Sequence, residues 1–276
     1  MRIFDCTTYF NEPLIMDVRF NILNEHVTKF IIVESAYSHS GAKKKINFDK
    51  NLYPQFKDKI EHIIVEKEPE NILDTDNADI DINKRTNSIL RISLQRNEAL
   101  KACKEASEED YIFYSDNDEI PNFNEINFYK NKSKFIIFEQ KLFYYKFNLL
   151  NDRIFWYGTK GTKKKYIKSI SDLRHIKPKK YPFWRIDKIK NLQIIENGGW
   201  HFSYLQTPTS ISKKIKSFSH GEFNNPKFQN QKIIEEKIKM EKDIFDRNIT
   251  YKKVKLDDSF PKYIIDNKER FKDWIV

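Results

Sequence analysis

Residues 110–121 of the chain, DYIFYSDNDEIP, decide the predicted fold. The run from Tyr111 to Tyr114 is short, apolar and rich in aromatic residues, which is typical of a buried strand. It ends at Ser115 and is followed by three carboxylates within four residues. Because ligands bind outside the carboxyl ends of strands in open α/β sheets, this acidic turn, residues 116–119, is the first candidate for a functional site.

Strand-like and helix-like patterns alternate around this stretch. The strand-like runs are Arg2 to Cys6, Lys29 to Ser35, Ile60 to Val65, 135–138, 142–147 and 153–157, and the helical ones are Pro13 to Leu23, Lys84 to about Ser107, 210–218 and 227–246. This order predicts an α/β fold with a mostly parallel central sheet, flanking helices and a helical C-terminal part. We expect one catalytic domain over residues 1–250 and a C-terminal extension, residues 251–276, packed on it.

The composition indicates a folded chain with an anionic partner. Of the 276 residues, 39% are hydrophobic and 33% are charged, and apolar residues recur along the whole length, which argues against wholesale disorder. The formal net charge of +10 favours a nucleotide sugar, an acidic glycan, a membrane surface or nucleic acid as partner. The basic region from Lys160 to Lys190 is either a binding surface for such a group or a solvated face.

Neither secretion nor membrane spanning is expected. No stretch of about 18 consecutive apolar residues occurs, and the first residues lead directly into a strand-like segment. Cys6 and Cys103 lie far apart without a metal-binding or redox spacing, so both are expected to be reduced, buried thiols. We therefore expect a cytoplasmic protein, for which peripheral contact with a membrane is left open.

Asp116 and Asp118 flank a single residue, and a turn that directs both side chains the same way could hold a divalent ion through oxygen ligands. Mn²⁺ or Mg²⁺ held there could also bind a diphosphate and neutralise the charge that develops on a departing nucleotide. An Asp-x-Asp triplet alone is a weak signal, because such triplets also occur in solvated loops. The turn therefore predicts metal-dependent chemistry only together with its surroundings.

The segment before the turn strengthens this interpretation. The run QRNEAL, residues 95–100, begins a helical stretch that leads into the strand and the acidic turn, and together they resemble the donor-binding half of GT-A glycosyltransferases. The resemblance implies a GT-A-like, Rossmann-like fold. It also implies that Arg96 and Asn97 approach the nucleotide. Asp116 and Asp118 would contact the ribose and the metal.

More specifically, the chain resembles glycosyltransferase family seventeen, the family of β-1,4-mannosyl-glycoprotein N-acetylglucosaminyltransferase. The resemblance extends from Arg2 to Asp246 and is carried by Asp5, Phe10-Asn11-Glu12, Arg19, Asn24-Glu25, Val33-Glu34-Ser35, residues 116–121, Gly198 to Tyr204 and Lys216 to Glu222. Phe202 stands where the family usually has Cys, and the membrane anchor and stem of the animal Golgi enzymes are not found. The resemblance implies inverting transfer of N-acetylglucosamine from its UDP conjugate to a glycan or glycolipid acceptor.

The resemblance also implies roles for further side chains. The donor is expected to contact residues at or just after the ends of the first two strands and one residue of the Gly-Trp-His segment, namely Thr7, Phe10, Asn11, Glu34 and His201. His220 is the expected third metal ligand, because imidazole can complete a site that carboxylates begin. Inversion needs a carboxylate base, for which Glu222 is the first candidate and Glu119 and Asp246 are the alternatives.

Three other functions compete with glycosyl transfer. A metal-dependent nuclease or nucleic-acid-binding protein would also explain the net charge and the acidic pair, but no recognised nucleic-acid motif is present and no such partner is expected. A glycoside hydrolase needs carboxylates about 5 to 10 Å apart across the scissile bond, whereas Asp116 and Asp118 are spaced to share a metal. A non-catalytic sugar-binding protein is left open, because a fold alone does not establish a function.

Overall fold

A seven-stranded central sheet organises the computed structural model, which describes residues 1–76, 80–179, 181–217 and 226–276. Its strands lie in the spatial order β10 (Leu192–Ile195), β6 (Phe135–Phe138), β9 (Lys160–Lys163), β4 (Tyr111–Asp116), β1 (Ile3–Tyr9), β2 (Lys29–Ser35) and β3 (Ile60–Val65). Strands β4, β1, β2 and β3 are parallel, whereas β9 runs antiparallel to both of its neighbours. The predicted α/β class with a central sheet is confirmed.

Helices cover both faces of this sheet, which explains why β1, β2 and β4 are buried along almost their whole length. The helices are α1 (Pro13–Leu23), α2 (Ile80–Ala102) and α3 (Ile170–His175). Along β2, Phe30 and Ile32 pack into the core that includes α1. The alternate residues Ile31 and Val33 pack into the core that includes α2 and α3. The flanking helices expected from the sequence are thus confirmed, with α2 beginning and ending a few residues before its predicted bounds.

Strand β9 corrects the interpretation of the basic region as a single exposed surface. Lys160 begins this strand and is only 7% exposed, and Thr162 is fully buried. Gly161 lies against Phe113 of β4, where a Cβ atom would come within 2.0 Å of the ring. The polar sequence of β9 hides a strand because its small residues are selected by close packing. The buried ammonium of Lys160 donates to the carbonyl oxygen of Arg174.

A second sheet of five strands was not predicted. Its spatial order is β12 (Lys252–Lys253), β8 (Leu149–Trp156), β7 (Gln140–Tyr144), β11 (Gly199–Ser203) and β5 (Glu119–Pro121). Strand β5 begins at Glu119, three residues after β4 ends at Asp116. The acidic turn therefore joins the two sheets.

The C-terminal part is largely helical and packs on the second sheet. It contains α4 (Pro208–Ser217), α5 (Pro226–Gln229), α6 (Gln231–Lys239) and α7 (Lys262–Asp266). Ile211 and Ile234 lie in one buried cluster with Leu142 and Leu149 of β7 and β8. Within residues 251–276, Ile264 joins the core that includes α1. The boundary at residue 250 stays a prediction.

The two cysteines lie close together in the core. Cys6 and Cys103 are both buried, and their Sγ atoms lie 3.7 Å apart. Among the residues that the structure describes, no helix combines the length and the apolar character needed to cross a bilayer.

Candidate active site

A pocket of about 360 Å³ opens beside the acidic turn, where the carboxyl ends of β1 and β4 meet the second sheet. Its walls combine charged and polar side chains with aromatic ones. They include Thr8, Phe10, Glu12, His39, Lys44, Arg96, Asp116, Asp118, Trp156, His201, Tyr204 and Lys214. This is the location that the α/β topology predicts for a ligand.

A buried arginine holds the acidic turn in place. Arg19 of α1 is fully buried, and its Nε donates to Asp5 Oδ2 of β1 at 2.8 Å. The same guanidinium donates to Ser115 Oγ at 2.6 Å and to the carbonyl oxygen of Glu119 at 2.8 Å. One side chain therefore ties α1 and β1 to both ends of the turn.

Asp116 is paired with two arginines. Its Oδ2 accepts from Arg174 Nη2 at 2.8 Å, its Oδ1 accepts from Tyr114 Oη at 3.0 Å, and Arg96 Nη2 lies 3.5 Å from Oδ1. Burial alone would raise the pKa of Asp116, but Arg174 and Arg96 outweigh it and hold the pKa well below its usual range. Asp116 is therefore ionised across the physiological pH range.

Glu119 shapes the turn, and its geometry argues against the predicted role as base. Its carboxylate is fully buried and accepts from the Asp116 backbone N–H at 2.9 Å and from Trp156 Nε1 at 2.5 Å. Arg174 donates to both of its oxygens at 2.7 Å. With four donors on two oxygens, this carboxylate has little capacity left to accept a proton from an acceptor hydroxyl.

Asp118 is held more loosely than Asp116 and Glu119. Its Oδ1 lies 3.4 Å from His201 Nε2, and its Oδ2 lies 3.6 Å from Lys214 Nζ. Burial would raise the pKa of Asp118, but Lys214 and His201 outweigh it and lower the pKa. The second ring nitrogen of His201, Nδ1, is buried and has no hydrogen-bond partner among the described residues.

Glu12 shapes the loop over the pocket. One carboxylate oxygen accepts from the backbone N–H groups of Phe10 and Asn11 and from Asn117 Nδ2, at 2.7 to 3.1 Å. The other oxygen lies 3.1 Å from Lys214 Nζ. This carboxylate therefore links the loop after β1 to the acidic turn and to α4.

The structure brings together four of the eight predicted donor contacts. Phe10, Arg96, Asp116 and His201 line the pocket. Thr7 is instead fully buried within β1 and does not belong to the pocket wall.

The other three predicted contacts have structural roles outside the pocket wall. Asn11 is exposed, and its carbonyl oxygen accepts from Gln206 Nε2 at 3.3 Å. Asn97 Oδ1 accepts from the Ser171 backbone N–H at 3.0 Å and so fixes the first turn of α3. Because α3 carries Arg174, Asn97 acts on the site only through that helix.

Glu34 is buried beneath the segment that carries Lys44. It accepts from Lys44 Nζ at 2.6 Å and from the backbone N–H groups of Asn47 and Phe48 at 2.9 Å. Burial would raise the pKa of Glu34, but these bonds and His62 outweigh it and lower the pKa. Glu34 positions Lys44, which lines the pocket, instead of lining it itself.

The remaining predicted residues divide into two groups. Asp246 pairs with Lys227 and Lys237 and does not belong to the pocket wall, so the geometry argues against it as the base. His220 and Glu222 lie in 218–225, outside the described residues.

Sequence reasoning missed Lys214 and His39, which line the pocket, and Arg174, which pairs with Asp116 from outside the pocket wall. The sequence shows Arg174 only as one of many cations in the basic region and Lys214 only as part of an amphipathic helix. The spacing of these two residues carries no signal, because each reaches the turn through tertiary packing of α3 or α4. Burial lowers the pKa of His39 to about 4, an effect to which the nearby Arg96 adds, so this ring is neutral in the folded protein at physiological pH.

The donor atoms at the turn are compatible with a divalent cation. Within the described residues no cluster of three or more His, Cys, Asp or Glu side chains is arranged as a metal site. Mg²⁺, however, is commonly held by one or two carboxylates together with phosphate oxygens of the substrate. Asp118 lies 3.4 Å from His201 Nε2 and 3.6 Å from Lys214 Nζ, so its oxygens remain suited to such an ion.

A charged pocket at the strand ends of a mixed α/β protein is a place where such proteins bind small molecules. The sequence model of Glycosyltransferase family 17 matches residues 1–274, so the chain belongs to this family and is a glycosyltransferase. No curated relative matches the chain.

Solved structures resemble the chain only weakly. HddC from Yersinia pseudotuberculosis, complexed with GMP-PN, is 11% identical with a TM-score of 0.33 and covers 71% of this chain and 89% of its own. The inositol-1-phosphate CTP transferase from T. maritima is 12% identical with a TM-score of 0.33 and covers 74% of this chain and 89% of its own. Similarity at this level carries no argument about function.

Proposed function

We propose that the protein transfers N-acetylglucosamine from its UDP conjugate to a glycan or glycolipid acceptor, with inversion at the anomeric carbon. One observation carries the proposal: Arg96 and Lys214 line a single pocket together with Asp116 and Asp118. Arg174 pairs with Asp116 from outside the pocket wall. Such an arrangement suits a diphosphate, whose departure builds negative charge that fixed cations stabilise. Family membership supports the transfer of a sugar. The choice of UDP as the nucleotide and of N-acetylglucosamine as the sugar is the more specific part of the proposal.

We also propose that Mn²⁺ or Mg²⁺ is required and is held by Asp118, with Asp116 as the second carboxylate. The ion would supply charge neutralisation on the leaving diphosphate. Arg174 would keep Asp116 ionised and correctly oriented. Lys214 would release Asp118 toward the ion while keeping its contact with Glu12. His220 stays the predicted additional ligand.

The base of the proposed reaction is Glu222. An inverting transfer needs a carboxylate that removes the proton of the acceptor hydroxyl. Of the three predicted candidates, Glu119 has its oxygens occupied and Asp246 lies outside the pocket wall. We place the reaction in the cytoplasm, on an acceptor that is a growing polysaccharide or glycolipid.

Calorimetry with UDP-N-acetylglucosamine, UDP-glucose and UDP-galactose, each with and without Mn²⁺, tests the donor and the metal together. We expect Mn²⁺-dependent binding that is strongest for UDP-N-acetylglucosamine. Asp118→Ala should weaken the Mn²⁺-dependent binding about tenfold or more, because it removes a main oxygen ligand. The matched control is Asp58→Ala, which removes an exposed aspartate outside the pocket wall and should bind as the parent chain does.

Two outcomes would contradict the proposal. If folded Asp118→Ala bound the UDP sugars with unchanged Mn²⁺ dependence, the acidic turn would not be the metal site. Absence of binding by all three UDP sugars in the parent chain would overturn the donor assignment. A Glu222→Gln variant that binds the donor but releases no UDP in the presence of acceptor would support Glu222 as the base, whereas full turnover would exclude it.

A further inference from the structure

Residues 181–190 form an exposed loop between α3 and β10, an edge strand of the central sheet. It has no helix or strand and is built from turns, such as the one closed by Arg185 N–H and the Pro182 carbonyl oxygen at 3.1 Å. Three large apolar side chains project from it. Phe183 is 83% exposed, Trp184 is 65% exposed and Ile186 is 93% exposed. We call this segment the 181–190 loop.

The concentration of these side chains is the unusual feature. Single exposed apolar residues are common on protein surfaces and need no explanation. Here Phe183, Trp184 and Ile186 fall within four residues, and Ile189 follows at 39% exposure. The rings of Phe183 and Trp184 contact each other edge to face at 5.2 Å, so they form one apolar projection. Exposed apolar groups gathered in this way indicate an interaction surface.

Cationic residues are frequent in the sequence on both sides of the apolar projection. The sequence from 177 to 190 contains Lys177, Lys179, Lys180, Arg185, Lys188 and Lys190 but only one acidic residue, Asp187. Asp187 is paired with Arg185 at 2.8 Å and with Lys188 at 3.1 Å, so it neutralises part of the charge. The net charge of residues 177–190 is positive. The surface therefore combines exposed aromatic and aliphatic groups with a net positive charge, which favours an anionic partner.

We propose that the 181–190 loop docks the protein on an anionic membrane surface. Phe183, Trp184 and Ile186 would insert at the boundary between head groups and acyl chains, and the surrounding cations would contact anionic head groups. Aromatic side chains favour this boundary, and long cationic side chains reach from it to the head groups. Two such contributions together are what stable peripheral binding requires.

The aliphatic residues distinguish this partner from single-stranded nucleic acid. Nucleic-acid surfaces also combine cations with aromatic rings, but they use the rings as stacking platforms for bases. Ile186 is the most exposed apolar side chain of the loop and has no flat face on which a base can stack. Insertion among acyl chains would bury Ile186 and Ile189 as well as the rings of Phe183 and Trp184.

The 181–190 loop joins the central sheet at the end opposite to the pocket. Strands β10, β6 and β4 run in the same direction, because β9 pairs antiparallel with both β6 and β4 and β10 pairs parallel with β6. The loop leads into the amino end of β10, whereas the pocket lies at the carboxyl ends of β1 and β4. The inference does not depend on the identity of the donor sugar or of the metal.

Vesicle flotation of the full chain tests the proposal. The vesicles are phosphatidylcholine alone and phosphatidylcholine with about a third phosphatidylglycerol, at low salt and at about 0.5 M NaCl. We expect binding to the anionic vesicles that weakens as salt is raised. Phe183→Ser/Trp184→Ser/Ile186→Ser should lower vesicle affinity about tenfold or more, because the inserted apolar area is lost. The matched control, Leu52→Ser/Tyr129→Ser/Ile154→Ser, alters exposed apolar residues elsewhere and should bind like the parent chain.

Trp184 provides a second measurement that does not depend on the triple variant. Its fluorescence should shift to shorter wavelength when anionic vesicles are added, because the ring leaves water. Trp184→Phe should abolish most of that shift while keeping vesicle binding. Three results would overturn the proposal: no association with anionic vesicles, equal association of the loop variant, or loop-dependent binding of a single-stranded oligonucleotide without vesicle binding.

Discussion

Arg174 is the residue on which the geometry of the acidic turn depends most directly. Its guanidinium spans Asp116 and Glu119, which a lysine ammonium cannot do because it lacks a planar pair of donors. We expect Arg174→Lys to lower the turnover number for sugar transfer about a hundredfold. The test is a comparison of initial rates and thermal melts with those of Arg85→Lys, an exposed arginine of α2. An unchanged turnover number in Arg174→Lys would show that the bidentate contacts of Arg174 do not contribute to the reaction.

His39 makes the stability of the protein sensitive to acid. Burial and Arg96 lower the pKa of His39 to about 4, whereas an unfolded histidine has a pKa of about 6.5. Between these values the unfolded state binds a proton that the folded state does not bind. The stabilisation is therefore complete above pH 6.5 and is lost as the pH falls toward 4.

Urea unfolding at pH 7 and pH 5 measures the contribution of His39. The parent chain should lose about 2 kcal/mol more of its free energy of unfolding between these two pH values than His39→Gln does. His175→Gln, which changes an exposed histidine of α3, should retain the parent dependence. Equal losses in the parent chain and His39→Gln would show that this ring does not cause the effect.

At the scale of residues, the sequence could identify the site only where a local motif carries it. Asp116, Asp118 and His201 belong to short motifs, and the structure places all three in the pocket wall. Arg174 and Lys214 have no such signal, because many lysines and arginines surround them in sequence. Only packing of the helices selects which cation faces the turn.

At the scale of elements, the buried pair of Arg19 and Asp5 joins α1 to β1. Arg19→Leu would leave Asp5 buried without its partner, so we expect the free energy of unfolding to fall by about 3 to 5 kcal/mol. Arg270→Leu is the control, because its ion pair with Asp17 is half exposed and should contribute about 1 kcal/mol or less. Urea denaturation measures both values.

A double variant distinguishes the lost ion pair from lost packing. Asp5→Leu/Arg19→Leu removes both charges and should regain part of the stability that Arg19→Leu loses. If Arg19→Leu destabilises the protein no more than Arg270→Leu does, then the pair does not hold these elements together.

The elements that the sequence predicted best are those with local patterns. β2 and β3 have the predicted bounds, and α1 spans the predicted residues, because each is a single apolar or periodic run. The second sheet depends on pairing across long separations, such as that of Trp200 in β11 with Ile120 in β5. Periodicity shows that a segment is extended but not which strand it pairs with, so this sheet could not be predicted.

At the scale of the whole molecule, the two sheets and the C-terminal helices meet at one place. The acidic turn connects the sheets, α1 and β1 hold it through Arg19, and α4 contributes Lys214. The glycosyltransferase family assignment extends over this whole arrangement, since it matches residues 1–274. The site is therefore a property of the complete fold and not of the Asp-x-Asp motif alone.

The pocket walls extend in sequence from Thr8 to Lys214, and this separation has a consequence during protein synthesis. A nascent chain on the ribosome can form β1, β2 and β3 early, because these strands are complete by Val65. The pocket can close only after α4 has emerged from the exit tunnel. Binding of the sugar donor in the complete pocket is thus delayed until translation has passed most of the coding sequence, and partly made chains cannot sequester that donor.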